Sequence, residues 1–270
     1  MDVPVSLEHQ VHGKERVRVA RVWREGTVHH FVEWMVGVVL ESDMEHAYLN
    51  GDNTGMTATD TMKNTCYIVA KRMEQRCSPE EYAIALATHL VTTYPKVTGT
   101  KITVQQSPWE RVCVQGEAHC HGFAQSGSET RVAEVYLADG RKPVVCSGFS
   151  GHKVLKTTQS GYEGYIHDQY TSLPDTRERM VATSVDAKWS YCADVQDYDA
   201  VYKRMLTSLD EAFFGAPRKG VYSPSVQFTL FEMGKRAIAS IAEVQTVTLT
   251  MPNIHFLPGG NDKLGLKETL

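Results

Sequence analysis

Two histidines at alternate positions are the first residues in the chain that could do chemistry. The segment His119-Cys120-His121 places two imidazoles on the same face of a predicted strand. Histidines at this spacing often begin a zinc or copper site. A closed site needs more ligands, and no partner motif with ligand spacing stands nearby in the sequence. The pair therefore fits hydrogen-bonded or solvated strand histidines better than a metal centre.

A second set of polar residues lies at the predicted ends of helices and strands. Functional groups concentrate at such junctions because a rigid scaffold can aim them. The set comprises Lys14, Thr59, Asp60, Arg179, Gln227, Asn253 and His255. Taken singly, each has an ordinary structural role as a surface charge, a helix cap, a turn residue or a salt-bridge partner. No one of them by itself identifies a function.

Motifs for the common cofactor reactions are absent from the sequence. It contains no GxSxG, P-loop or GxGxxG segment, so no motif supports a nucleophile elbow, a nucleoside triphosphate site or a dinucleotide site. The six cysteines are dispersed and form no CxxC pair. This pattern is typical of reduced intracellular thiols, and we assign them structural roles.

The elements that must position these residues begin with a predicted hairpin, Val17 to Val22 and Val28 to Leu40, with its turn at Arg24-Glu25-Gly26. A helix should follow, capped by Thr59 or Asp60. A second helix should start at Ser78-Pro79-Glu80-Glu81, which has the pattern of a capping box, and end near Tyr94. The predicted extended segments after it are Lys101 to Gln106, Trp109 to Ala124, Thr130 to Leu137 and Lys142 to Ser147.

The second half of the chain repeats this outline. Its predicted elements are strands at Val154 to Ser160, Met180 to Tyr191 and Val244 to Thr250 and helices at Tyr198 to Phe214 and Ser223 to Ile241. The order predicts a duplicated α+β unit in which helices cover one face of an antiparallel sheet. We place the two units at residues 1–140 and 141–270.

Composition excludes several classes of protein. The chain has 270 residues, a formal charge of −4 and a hydrophobic fraction of 42%, which is typical of one or two globular domains and not of a disordered chain. It lacks the basic excess of nucleic-acid binders. Its longest uncharged apolar run, Trp34 to Leu40, is too short to span a bilayer, and Met1 to Lys14 has no secretory apolar region. We expect neither a nucleic acid nor a membrane as a partner.

Seven short segments lie in order along nearly the entire chain. They are His12-Gly-Lys14, Gly51-Asp-Asn53, Ala58-Thr-Asp-Thr-Met-Lys-Asn-Thr65, Val154-Leu-Lys-Thr-Thr-Gln-Ser-Gly161, Asp168-Gln-Tyr-Thr-Ser-Leu-Pro174 with Arg179, Ser223-Pro-Ser-Val-Gln227 and Met251-Pro-Asn-Ile-His255. In residues, order and spacing, these segments resemble the urate oxidase (uricase) family.

The resemblance implies a tunnelling fold (T-fold), with two tandem units per chain assembled into a barrel-like homotetramer whose active sites lie at subunit interfaces. It also implies cofactor-free and metal-free chemistry. The expected reaction is the oxidation of urate by O₂ and water to 5-hydroxyisourate and hydrogen peroxide, in urate degradation.

Roles for substrate binding follow from the same resemblance. Arg179 and Gln227 would hold the urate ring in plane, since a guanidinium fork and a carboxamide match its polar edge. Val226 and Asp60 would add contacts through backbone groups. Tyr162 would stack beneath the flat purine at a position where the family usually has Phe.

Roles in proton transfer and O₂ binding are implied as well. Lys14 and Thr59 would act together as the base that removes a urate proton. His255 would complete the proton relay. Asn253, with Thr59, would hold O₂ and then water above the ring.

Two alternatives stay open at this point. One is a catalytically impaired purine-binding T-fold protein, because the chain ends at Leu270, earlier than the family usually does. The other is a zinc-dependent T-fold enzyme acting on a purine or pterin, which needs His119, His121 and a cysteine to converge. The family is peroxisomal in eukaryotes and often ends in a Ser-Lys-Leu type signal, whereas this chain ends Glu-Thr-Leu. We expect a peroxisomal location in a eukaryote and a cytoplasmic one otherwise.

Overall fold

The computed structural model describes residues 5–256 and residue 265. In chain order the elements are β1 (His12–Glu25), β2 (Val28–Ser42), α1 (Glu45–Asn50), α2 (Thr59–Arg72), α3 (Pro79–Thr93), β3 (Val97–Gln106), β4 (Trp109–Val114), β5 (Glu117–Gln125), β6 (Thr130–Ala138), β7 (Val144–Lys156), β8 (Val181–Tyr191), α4 (Tyr198–Phe214), α5 (Val226–Ser240) and β9 (Val244–Thr250). Within the described residues, no helix has the length and apolar character needed to cross a membrane.

The chain divides into two compact units, Met1–Ser147 and Gly148–Leu270. Strand β7 begins in the first unit and ends in the second. The assignment of residues 1–140 and 141–270 to tandem T-fold units stays a prediction. The early C-terminal end falls on residues 257–264 and 266–270, which lie outside the described residues.

Unit 1 is built on an antiparallel sheet in which β1, β2, β3 and β6 lie side by side in that order. Alternate residues of β2, from Trp34 to Leu40, are fully buried, because successive strand residues point to opposite faces. Helix α3 contributes Tyr82 and Leu86 at helical spacing to the same core. The rings of Trp34 and Tyr82 stack with centroids 4.5 Å apart. The prediction of an α+β unit with an antiparallel sheet is confirmed.

The predicted capping box begins α3. The Ser78 side chain accepts a hydrogen bond from the Glu81 backbone N–H (3.2 Å), and the Glu81 carboxylate accepts one from the Ser78 backbone N–H (2.7 Å). Two amide groups that the helix cannot pair internally are thus satisfied.

A buried carboxylate lies in the first turn of the same helix. Glu80 is fully buried, and its two oxygens accept hydrogen bonds from Arg131 Nη2 (2.7 Å) and Ser147 Oγ (2.6 Å). A buried charge is tolerable only when it is paired in this way. The network therefore ties α3 to β6 and to the start of β7.

Unit 2 has its own antiparallel pairing, with β8 between β7 and β9. Trp189 from β8 packs with Phe149 from β7 and with Met205 and Phe213 from α4. Helix α4 begins at Asp197, whose side chain accepts a hydrogen bond from the Ala200 backbone N–H (2.9 Å). Helix α4 and strand β9 have the predicted bounds, and β8 and α5 lie within theirs.

Four local predictions are wrong. Trp109 to Ala124 is not one extended segment, because Gln115 and Gly116 adopt positive φ (55° and 83°) and turn it into the β4–β5 hairpin. The predicted segments Lys142 to Ser147 and Val154 to Ser160 are not two strands. Residues 144–147 and 154–156 belong to one strand, β7, which continues through Gly151 while the Gly151 N–H donates to Asp186 Oδ1 (2.8 Å), and residues 157–160 lie beyond its end. Neither Thr59 nor Asp60 caps α2, since the cap position is Ala58 and no side chain bonds there. The short helix α1 was not predicted.

Replacing Arg131 with methionine should lower the free energy of unfolding by about 3 kcal/mol, because Glu80 would keep a buried charge without its ion-pair partner. Urea unfolding followed by circular dichroism measures the loss. Arg141→Met, which changes an exposed arginine, is the matched control and should have little effect. A double variant Glu80→Gln/Arg131→Met should recover part of the loss. An Arg131→Met variant as stable as the control would contradict the proposed contribution of the Glu80–Arg131 ion pair to stability.

Candidate functional site

Lys14 lies on β1 of unit 1 beside a β-bulge. The pairing of β1 with β2 shifts register between Lys14 and Val17, and Arg16 within the shift has φ 60°. Bulges of this kind often lie next to active sites because they re-aim a side chain. At Gly13, an added Cβ would overlap with the carbonyl oxygen of Val38. A glycine is therefore required directly before the exposed Lys14.

Thr59 and Asp60 occupy the first turn of α2, close to the same strand. A hydrogen bond between His12 Nε2 and the Thr57 carbonyl oxygen (3.0 Å) links the start of β1 to the segment before α2. The Asp60 carboxylate accepts a hydrogen bond from Lys63 Nζ (2.6 Å), and this contact is the main reason that the pKa of Asp60 is lowered. The positive charge of Lys14 lowers that pKa further. Unit 1 thus brings Lys14 into electrostatic range of the start of α2.

Arg179 is held just before β8 in unit 2. Its backbone N–H donates to the Ser160 carbonyl oxygen (2.9 Å), and its guanidinium carbon lies 5.7 Å from the centroid of the Tyr162 ring. The Arg179 Nε atom is buried and has no hydrogen-bond partner among the described residues. A buried, unpaired guanidinium N–H is costly. The Arg179 guanidinium therefore has a free N–H donor that could bind a planar acceptor group.

Tyr162 is fixed in a short antiparallel bridge and backed by further rings. Its backbone N–H donates to the Thr176 carbonyl oxygen (2.7 Å). The Tyr162 and Tyr165 rings stack with centroids 4.6 Å apart, and the His167 ring stacks on Tyr165 at 4.5 Å. His167 in turn contacts Asp175 (3.1 Å). Sequence reasoning missed this stack, although three aromatic residues in the six positions from 162 to 167 were a usable signal.

Val226 and Gln227 are the first two residues of α5. Ser225 caps the helix by accepting a hydrogen bond from the Phe228 backbone N–H (3.1 Å). The earlier N–H groups of a helix have no partner within it and are available to a bound molecule. The turn before the helix pairs with the Ser160 segment, since the Gly161 N–H donates to the Ser223 carbonyl oxygen (2.9 Å). The Arg179 backbone and the start of α5 are therefore anchored on the same short segment.

Asn253 and His255 follow β9 and attach to the start of β8. Asn253 bridges to Thr183, and the Ile254 N–H donates to the Ala182 carbonyl oxygen (2.8 Å). Ala182 is three residues after Arg179 in the sequence. Asn253 and His255 are exposed.

The structure thus brings the predicted residues together in two groups. Unit 2 gathers Tyr162, Arg179, Val226, Gln227 and Asn253 through backbone bridges between four separate segments, with His255 two residues beyond. Unit 1 gathers Lys14, Thr59 and Asp60. The group in unit 2 combines an aromatic ring, a guanidinium and free helix N–H groups. This combination can hold a flat, polar or anionic ring.

The His119 and His121 rings lie on β5 with centroids 4.6 Å apart and planes at 90°. The His121 backbone N–H donates to His119 Nδ1 (3.2 Å), and the His29 ring lies 5.8 Å from that of His121. Over residues 5–256 and 265, no group of three or more His, Cys, Asp or Glu side chains could hold a metal ion.

Known proteins resemble this chain over most of its length. The family model described as Uricase matches residues 10–136 and 145–261. The chain is 47% identical over 258 residues to Uricase-2 isozyme 2 of Glycine max, covering 92% of this chain and 83% of that protein. It is also 47% identical over 263 residues to Uricase-2 of Phaseolus vulgaris, with the same coverage.

Solved structures agree with these matches. The crystal structure of uricase from Arthrobacter globiformis superimposes with a TM-score of 0.87 at 32% sequence identity, covering 98% of this chain and 88% of that one. The predicted fold class, an α+β T-fold with an antiparallel sheet, is confirmed by this likeness. The resemblance found in the seven segments is likewise confirmed, and the chain belongs to the uricase family.

Proposed function

We propose that this protein is a urate oxidase that converts urate, O₂ and water into 5-hydroxyisourate and hydrogen peroxide. Urate loses two electrons, O₂ accepts them together with two protons to become hydrogen peroxide, and water supplies the new hydroxyl group. The names of the curated relatives support this reading over a purine-binding protein without turnover. The reaction needs the protein to hold the ring, move protons and keep O₂ close.

The observation that carries the proposal is the arrangement around Arg179. Its Nε is buried and has no hydrogen-bond partner among the described residues, and its guanidinium carbon lies 5.7 Å from the centroid of the Tyr162 ring. A flat urate anion stacked on Tyr162 would accept hydrogen bonds from Arg179 and from the carboxamide of Gln227. Backbone groups of Val226 and Asp60 would complete the polar edge.

Proton transfer falls to the other residues of the two groups. Lys14 would assist the Thr59 hydroxyl in removing a proton from urate, and the electron-rich dianion would then pass electrons directly to O₂. Asn253 and Thr59 would hold O₂ and later the attacking water. His255 would return protons to the relay. In this scheme no cofactor takes part.

The assembly we propose is a homotetramer with active sites at subunit interfaces. Each site would take Lys14, Thr59 and Asp60 from one chain and Arg179 and Gln227 from another. This division follows the two units, since the first set of residues belongs to unit 1 and the second to unit 2.

The location we propose for a eukaryotic source is the peroxisome. The curated relatives are plant and animal uricases, and the product hydrogen peroxide suits an oxidative compartment. In any other organism the cytoplasm is the expected location.

The function itself is tested by loss of the ultraviolet absorbance of urate together with O₂ uptake, in the presence of a chelator. We expect both signals in parallel. A folded protein that binds urate without consuming O₂ would contradict the proposal.

Arg179→Gln should weaken urate binding by about 10- to 100-fold, because one charge-assisted pair of hydrogen bonds is lost. Calorimetry in anaerobic buffer measures this binding, since urate cannot turn over without O₂. Arg204→Gln, an exposed arginine on α4, should bind urate as the unchanged protein does. Equal affinity in the two variants would remove Arg179 from the substrate site.

Thr59→Ala and Lys14→Met should each lower kcat by at least about 100-fold, which is the usual contribution of a positioned acid–base group. Anaerobic urate binding should change by less than about threefold, because these groups act mainly on the transition state. The control Lys71→Met alters an exposed lysine in the last turn of α2. Rates unaffected by either change would rule out the proposed base.

Mixing two impaired variants, assayed at a urate concentration well below the KM of Arg179→Gln, tests whether sites form between chains. Lys14→Met and Arg179→Gln chains, unfolded together and refolded, should recover roughly a quarter of the unchanged protein's activity, because one in four sites pairs two intact halves. Each variant refolded alone is the control. No recovery in mixed tetramers, verified by native mass spectrometry, would place each site within one chain.

A further inference from the structure

A buried lysine at the end of β7 has no role in the reaction described above. Lys156 is 9% exposed, and its Nζ donates to the Val221 carbonyl oxygen (2.9 Å) and to Ser223 Oγ (2.8 Å). The ammonium also lies 5.1 Å from the centroid of the Phe213 ring. It forms no ion pair with a carboxylate among the described residues. The charge is therefore held by neutral acceptors and a π face alone.

Such an arrangement is unusual because a buried ammonium without a counter-ion is costly. Burial lowers the pKa of Lys156 for this reason. A methionine could fill the same apolar space without the cost of a buried charge. We therefore look for the role of Lys156 in the groups that its ammonium holds by hydrogen bonds, and not in core packing.

Both acceptors of Lys156 lie in the turn that leads into α5. Ser223 is 2% exposed, and its Oγ also accepts a hydrogen bond from Thr229 Oγ1 (2.8 Å) on the first turns of that helix. The Ser223 hydroxyl oxygen is thus hydrogen-bonded to both Lys156 and Thr229, and the Thr229 hydroxyl also lies 3.0 Å from the Ser225 carbonyl oxygen. Together they fix the turn against β7 on one side and α5 on the other.

Ser223 is also the backbone partner of the segment that holds Arg179. Its N–H donates to the Gln159 carbonyl oxygen (2.9 Å), and its carbonyl oxygen accepts from the Gly161 N–H (2.9 Å). Between these two residues, the Ser160 carbonyl oxygen accepts the Arg179 N–H (2.9 Å). Any shift of Ser223 therefore moves both the start of α5 and the anchor of Arg179.

We propose that Lys156 is a positioning residue that sets the distance between Gln227 and Arg179 by clamping Ser223. The inference rests on the proposed function, because Gln227 and Arg179 are taken as the two groups that hold the substrate edge. Lys156 itself does not touch the substrate. Its loss would leave both groups present but displaced relative to each other.

The test compares Lys156→Met with Lys153→Met, an exposed lysine three residues earlier on the same strand. Anaerobic calorimetry with urate as the probe should show binding weakened by about tenfold in Lys156→Met, with KM raised to match and kcat changed by less than about threefold. The Lys153→Met protein should keep the original values. A purely structural role would reduce the fraction of active protein and leave KM and the urate Kd of the folded fraction unchanged, which would overturn the proposal.

A milder variant guards against misfolding. Ser223→Ala removes the side-chain acceptor and leaves the backbone bridge in place. It should reproduce the rise in KM, and the double variant should be no worse than Lys156→Met alone because both changes break one contact. Fully additive losses would contradict the clamp. If the unchanged protein fails to oxidise urate but Lys156→Met still weakens anaerobic urate binding, the proposed function fails and the clamp stands.

Discussion

The pairing of Ser160 and Gly161 with Ser223 is the contact on which the group in unit 2 depends. Three consecutive residues, 159 to 161, use their backbone groups to hold both the turn before α5 and Arg179, which lies two residues before β8. Gly161 has to be glycine, because an added Cβ would overlap with the Tyr222 hydroxyl and crowd the Thr176 carbonyl oxygen. Hydrogen bonds between backbone groups position a residue without using the polar atoms of its side chain. Arg179 and Gln227 thus keep their polar atoms free.

Buried polar atoms in this protein differ in whether they have hydrogen-bond partners. Buried donors are nearly always hydrogen-bonded in folded proteins. Arg179 Nε is one of several exceptions among the described residues, and its guanidinium lies against the Tyr162 ring, whereas both oxygens of the buried Glu80 carboxylate accept hydrogen bonds, from Arg131 and Ser147. An unpaired donor such as Arg179 Nε is suited to binding a ligand, whereas the paired Glu80 is suited to stabilising the fold.

Much of the fold could be predicted because its signals are local. The capping box at Ser78 and Glu81 and the alternation of β2 each depend on residues a few positions apart. The errors came where tertiary contacts overrode local pattern. Residues 148–153 were left outside the predicted strands, but Asp186 from the neighbouring strand accepts the Gly151 N–H and the strand continues through them. Thr59 looked like a cap, yet it is the first residue of the helix and the cap position is Ala58.

The sequence by itself determined the family and the identity of the candidate site residues, because seven short motifs in order are specific even when each alone is not. Only the tertiary structure decided how those residues are grouped and what supports them. The Tyr162–Tyr165–His167 stack and the contact of Lys156 with Ser223 join residues by ring geometry and by contacts across 67 positions of chain. Local pattern carries no information about such distances, since long-range contacts form only when the strands and helices pack.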